Sequence, residues 1–162
     1  MSSPVWTTTI MNQLVLDLAT GLVVKGYADM EANRTVYLSP LKHWPKSAAP
    51  LEIQVIRGVE NFLDQDGFIR AQAIYRIFAL NKKHLDANEK HFKALAAIAT
   101  SIYKLRDDII TILHGKYIGA TELLVRPLLL NGVGAVETSP IDNDNDTLGL
   151  TIDFTGGTNN AV

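Results

Sequence analysis

Residues 67–81 read GFIRAQAIYRIFALN, and this stretch decides how the rest of the chain is arranged. Its odd positions Ile69, Ala71, Ala73, Tyr75, Ile77 and Ala79 are all apolar, the period of two that one buried face of a β-strand requires. The even positions Phe68, Arg70, Gln72, Ile74, Arg76, Phe78 and Leu80 place two arginines and an amide among large apolar side chains. Such a strand has one face sealed in a core and another that is both greasy and basic. Just ahead of it, residues 51–57, LEIQVIR, alternate as a half-buried strand, and Asp66-Gly67 is the signal for a tight turn between the two.

Working outward, Thr7-Thr8-Thr9 can cap a short amphipathic helix that carries Ile10, Met11, Leu14, Val15 and Leu18 on one face and stops at Gly21. Short apolar pieces follow at 22–27 and 34–38. Pro40, Pro45 and Pro50 then make 39–50 a loop, since proline lacks the amide that regular structure uses. Downstream of the central strand, Asp86 and Glu89 form a capping box. The stripe Phe92, Leu95, Ile98, Ala99, Ile102, Leu105, Ile109, Ile112, Leu113 predicts one long helix over 86–114, ended by Gly115, with a bend near Arg106-Asp107-Asp108. Residues 121–137 are apolar on both faces and interrupted by Pro127 and Asn131-Gly132, which fits one bent strand or a small hairpin. Residues 146–155 alternate as a last strand, with Leu148, Leu150, Ile152 and Phe154 on one side. The order implies an α+β class: a mainly antiparallel sheet packed against one long helix, with a short N-terminal helix. Residues 1–155 form this domain and 156–162, GGTNNAV, read as a flexible tail.

Composition agrees with a globular chain. Of 162 residues, 47% are hydrophobic and 20% charged, enough for a sizeable core. The mean hydropathy of +0.09 is high for a soluble monomer and suggests apolar surface kept for a partner. The absence of cysteine excludes disulfide and thiolate chemistry and fits a reducing compartment. No basic residue precedes Lys25, as a secretory leader would require, and Thr, Asn and Gln break the run at 4–16, so no membrane span is expected. All 15 Lys and Arg lie between Lys25 and Arg126, whereas beyond Arg126 only acids occur: Glu137, Asp142, Asp144, Asp146 and Asp153. This is a mildly basic body followed by an acidic turn. Lys82-Lys83-His84 is too short a basic cluster to mark a nucleic-acid face.

The residues do not assemble a catalytic signature. His43, His84, His91 and His114 include no pair at metal-binding spacing, and no nucleophile elbow or phosphate-cradling glycine loop occurs. Asp107 and Asp108 are adjacent on a helix and point in different directions, so they mark a solvated face rather than an acid pair. Asp142, Asp144 and Asp146 imitate the first half of a calcium loop, but Thr147 stands where that loop needs glycine and a strand follows where a helix should. We therefore expect no enzyme activity, no cofactor and no metal site.

Taken together, PLEIQVIRG, FIRAQAIYRIFALNKKHLDANEKHFKALAAIATSI, TELLVRPLLL and DTLGLTIDFTGG run strand, long strand, helix, strand, final strand, behind a small helix. Over roughly 8–155 this order resembles the tail-terminator (tail-completion) proteins of long-tailed bacteriophages. The resemblance implies a structural virion protein that forms a homo-oligomeric ring, hexameric in that family, at the head-proximal end of the tail tube. It would end tube growth and join tail to neck after assembly in the host cytoplasm. Implied partners are the tail tube protein, a neck or head-completion protein and, in a contractile tail, the sheath, with no membrane. Related folds occur in neck, tube and baseplate adaptors, and a small ligand- or nucleic-acid-binding domain is the rival outside the virion. In a ring subunit, the face bearing Phe68, Arg70, Gln72, Ile74, Arg76 and Phe78 is the candidate subunit or partner interface. The same arginines also fit solvation, or pairing with a neighbouring strand's acid.

Overall fold

The computed structural model describes residues 6–27, 30–44, 51–81, 102–118, 125–138 and 147–161. Its elements in chain order are α1 (Thr7–Val24), β1 (Val36–Leu38), β2 (Leu51–Gln65), β3 (Phe68–Asn81), α2 (Ile102–Leu113), β4 (Val125–Val133), β5 (Glu137–Thr138) and β6 (Leu148–Ala161). They form an α+β fold with two described helices against one mixed sheet of order β1-β2-β3-β6-β4, in which β5 pairs with β6. Among the described strands, β1 pairs with β2 in parallel and the other pairings are antiparallel.

The central hairpin is as the turn signal requires. Asp66 and Gly67 both have left-handed backbone (φ 51° and 81°), the conformation whose twist matches paired strands and which glycine adopts without strain. The first strand is twice the expected length, because a bulge between Arg57 and Glu60 lets β2 follow β3 to the turn. The odd positions of β3 are buried from Ala71 to Ala79. Tyr75, Ile77 and Ala79 meet Ile53 and Val55 of β2 or Leu150, Ile152 and Phe154 of β6 across the ladders, and all of these lie in one core.

The helices lie over that face. α1 is 18 residues long rather than short, and buries Ile10, Leu14, Leu18 and Leu22, a stripe at four-residue spacing. By length and composition α1 is apolar enough to cross a membrane, and here that stripe is the middle of the core. No side chain caps its start at Trp6; the Thr7 hydroxyl instead donates to the Glu60 carboxylate. The helix passes through Gly21, where a Cβ would sit 3.0 Å from the Ile112 side chain of α2, so glycine there permits close helix packing and is not a stop. The stop is Gly26 (φ 100°): its amide donates to the Val23 carbonyl and the Tyr27 amide to the Leu22 carbonyl, a paired closure of a helix C-terminus.

Two more expectations change, and one open alternative is decided. The described part of the second helix is α2, 12 residues burying Ile102, Leu105, Ile109 and Leu113, so the sheet is covered by two helices and not by one long one. The capping box at Asp86 and Glu89 lies outside the described residues. Of the two alternatives for 121–137, the described residues show the strand and not the hairpin: β4 runs through both Pro127 and Gly132, with register shifts beside each. The final strand does not end at Thr155. Residues Gly156 to Ala161 continue β6 alongside Ala73 to Phe68, with Thr158 and Asn160 buried.

Candidate functional site

The outer face of the sheet, opposite the helices, carries the even positions of β3, and it is divided into a closed half and an open half. In the closed half, the Gln54 side chain donates to the His43 carbonyl (2.8 Å) and accepts from the His43 amide (3.2 Å). That clasp pins the chain around 42–44 across the strands. Trp44 then stands edge-on to Phe78, ring centroids 5.3 Å apart, and the Lys42 ammonium lies 5.0 Å from the Phe78 centroid. Phe78 is thereby fully buried, with Ile56 and Leu80, in a second small core. Gly149 makes the room: a Cβ there would come within 2.8 Å of Trp44 and 2.7 Å of Phe78.

Arg76 belongs to this half. Its Nε and Nη2 donate to the two carboxylate oxygens of Asp153 at 2.9 and 3.1 Å, a bidentate pair between directly opposite residues of β3 and β6. The hydrogen bond with Asp153 raises the Arg76 pKa further. Asp153 is thus an ion-pair partner, and the acids of the calcium-like run, 142–146, lie outside the described residues. A neighbouring bridge, Lys42 to Glu137 at 2.7 Å, ties the same loop to β5.

Toward the hairpin turn the face opens. Phe68 is 51% exposed and Leu63, its neighbour across the turn, 52%. Arg70 lies between Leu63 of β2 and Asn159 of β6. Next to it runs a groove of about 420 Å³, lined by Val59, Gln72, Ile74, Arg126, Leu129 and Thr155 among others. Burial, and then the like charge of Arg70, lower the Arg126 pKa. Among the described residues no carboxylate forms an ion pair with Arg70 or Arg126; Asp66 shares a small hollow with Arg70 without bridging to it.

Comparison with known proteins adds a fold. No family model and no curated protein matches the sequence. Among solved structures, a chain from the "Virion of native gene transfer agent (GTA) particle" matches over 93% of this chain and 97% of that chain, with TM-score 0.50 and 11% identity. The two chains share a fold end to end.

Four other polar residues singled out in the sequence make contacts within the fold. His43 contacts Tyr37 and Ser39, and His114 Nδ1 accepts from the Leu130 amide; His84 and His91 lie outside the described residues. Asp108 accepts from the Tyr27 hydroxyl and from Lys104, both at 2.7 Å, whereas Asp107 pairs with Arg106. Among the described residues, no three His, Asp or Glu side chains converge on a point where they could hold a metal ion. Of the six candidate interface residues, Phe68, Arg70, Gln72 and Ile74 border the open half, Arg76 is engaged by Asp153, and Phe78 is covered by Trp44. Sequence reasoning missed Arg126, because pairing β4 with β6 is what brings it onto the face of β3.

Proposed function

We propose that this protein is a structural component of a virion: a subunit that forms a ring at the head-proximal end of a tail tube, ends tube growth and joins the tail to the neck. The observation that carries this reading is the end-to-end likeness of fold to a chain of a virion particle. The sheet supports it. A ring subunit needs a sealed core on one side and a surface for repeated head-to-tail contact on another. Here the helices seal one face, while half of the opposite face presents Phe68, Leu63, Val59 and two arginines to solvent. Apolar anchors with arginine are typical of the middle of a protein interface.

The reading is tested by mixing the purified protein with tail tubes of its own particle and imaging gold-labelled subunits. Label at the head-proximal end only, with tubes of fixed length, is the expected result. Label along the tube or at the distal end would make the protein another tube or baseplate adaptor. Monomeric protein that ignores tubes at every accessible concentration would remove the virion reading.

A further inference from the structure

We infer that the groove beside Arg126 receives the tip of the β2–β3 hairpin, residues 62–68, from a second copy of this chain. This rests on the ring reading above and names its contact. The tip carries apolar side chains on both of its faces. Phe62 pairs with Ala71 and Leu63 with Arg70, so the two leave opposite sides of the hairpin, and both, with Phe68, are about half exposed. Asp64 and Asp66 are exposed among them, and neither forms an ion pair among the described residues. Large apolar groups held in water on both faces of an arm, with acids between them, mark an anchor rather than a solvated turn. The groove is its complement. It measures about 420 Å³, its walls include Val59, Ile74 and Leu129, and the Asn61 and Gln72 amides line it as partners for the backbone of a turn. Arg126 stands in it without an ion pair among the described residues, partly withdrawn from water beside the like charge of Arg70, so an arriving carboxylate relieves a repulsion already present.

The ladder decides that the donor is a different copy. Residues 60–65 and 68–73 are paired in unbroken register, which holds the hairpin extended. From Asn61, in the groove wall, to Asp66, in the turn, the strand runs roughly 16 Å at about 3.3 Å per residue. A tip bent back into its own groove would break the ladder bonds between those points. Both halves of the match, acidic apolar tip and basic apolar groove, are unmet on one chain, and a second copy is the occupant that satisfies both. Because tip and groove are different surfaces, the contact is heterologous, the type that closes into rings. Arg76 takes no part, being already matched by Asp153.

The chain has no cysteine, so introduced ones report the contact directly. Full-length Asp64→Cys and Arg126→Cys chains are mixed in equal amounts and oxidised. The expected product is the mixed 64–126 disulfide dimer, about tenfold or more over either like-with-like dimer, since only neighbouring Cα atoms can be bridged. In sedimentation, Asp64→Lys with Asp66→Asn and, separately, Arg126→Glu should each weaken self-association about tenfold or more, while Arg34→Gln should change it by less than about twofold. Asparagine at 66 keeps the left-handed turn. An equimolar mixture of the two weakened chains should recover association, because each tip then meets a groove of opposite charge. Thermal melts of the variants, expected close to that of the parent because none of these side chains is in the core, keep a folding defect from imitating the result. Disulfide products in statistical proportion, an excess of the 64–64 dimer, association indifferent to Arg126→Glu, or failure of the mixture to recover would each overturn the contact and leave the ring reading in place. A wild-type chain that never associates, with or without tubes, would instead remove the ring reading, and disulfide trapping at high concentration would then decide the contact by itself.

Discussion

Replacing Gly157 with alanine is expected to lower stability more than any other single methyl addition on β6. A Cβ built there meets the Ala71 carbonyl oxygen at 2.1 Å, and the Ala71 carbonyl carbon and Gln72 Cα at 3.2 and 3.3 Å. These atoms are backbone, so no rotamer change relieves the clash. The two strands must separate by roughly 1 Å, which stretches hydrogen bonds of about 2.9 Å beyond useful length. Overpacking of this kind costs about 1–3 kcal/mol. Loss of a ladder bond on either side adds about 0.5–1.5 kcal/mol each. Against this, alanine restricts the unfolded chain and recovers about 0.4–1 kcal/mol. The net is a loss of about 2–4 kcal/mol, or a Tm lower by roughly 5–15 °C for a chain of this size. Gly132→Ala is the control, since nothing lies within 4 Å of its Cβ and its backbone is not left-handed. It keeps only the entropic gain, so its Tm should equal or slightly exceed that of the wild type. Calorimetry of the two variants side by side provides the measurement. Gly157→Ala melting within about 2 °C of Gly132→Ala would refute the close strand approach.

Tyr75 is fully buried and its hydroxyl has no hydrogen-bond partner among the described residues, so Tyr75→Phe should be neutral or stabilising by up to about 1 kcal/mol in urea unfolding; a clear loss would reveal a partner for the hydroxyl. Burial is the main cause that raises the pKa of Tyr27, Tyr37 and Tyr75, reinforced for the first two by hydrogen bonds to Asp108 and Glu52. Because these phenols ionise less readily folded than unfolded, their contribution is complete below pH about 10 and is lost as pH rises above it; Tm should fall there, and ultraviolet titration should show these rings ionising only with unfolding. Arg76→Gln should cost no more than about 1 kcal/mol despite its bidentate geometry, because Arg76 is 44% exposed and its partner Asp153 23%; a larger loss in chemical denaturation would mean that the pair organises the sheet.

The parts of the fold that depend on local pattern were legible. Alternation at Ala71 to Ala79 gave the buried face of β3, Asp66-Gly67 gave the turn, and Leu14 and Leu18 gave the buried side of α1. The misreadings share a physical origin, which is that glycine has more than one use. Gly21 and Gly156-Gly157 look like punctuation in the sequence, yet Gly21 lets α1 approach Ile112, and Gly156 and Gly157 lie where a Cβ would strike Leu128 and Ala71. Such reasons lie in residues tens of positions away. The candidate site was half legible for the same cause. Arg70 and Arg76 are equivalent by periodicity, and only the register of β6 sets Asp153 opposite one and Asn159 opposite the other. Likewise nothing in FIRAQAIYRIFALN tells that Trp44 will cover Phe78.

The place of β6 in the sheet has a consequence for how the protein is made. β4 and β5 pair with β6 and with no other described strand, and β3 has β6 as its second neighbour. On the ribosome, α1 and the β2–β3 hairpin emerge well before the strand that completes the ladder, so the nascent chain holds the edge of β3 unpaired and β4 without a place to dock. Non-local pairings of this kind are slow to form and leave sticky edges exposed in the meantime. Translation that stalls or ends before Leu148 therefore releases an aggregation-prone fragment and not a smaller folded domain, and a cell short of chaperones would accumulate it as insoluble product.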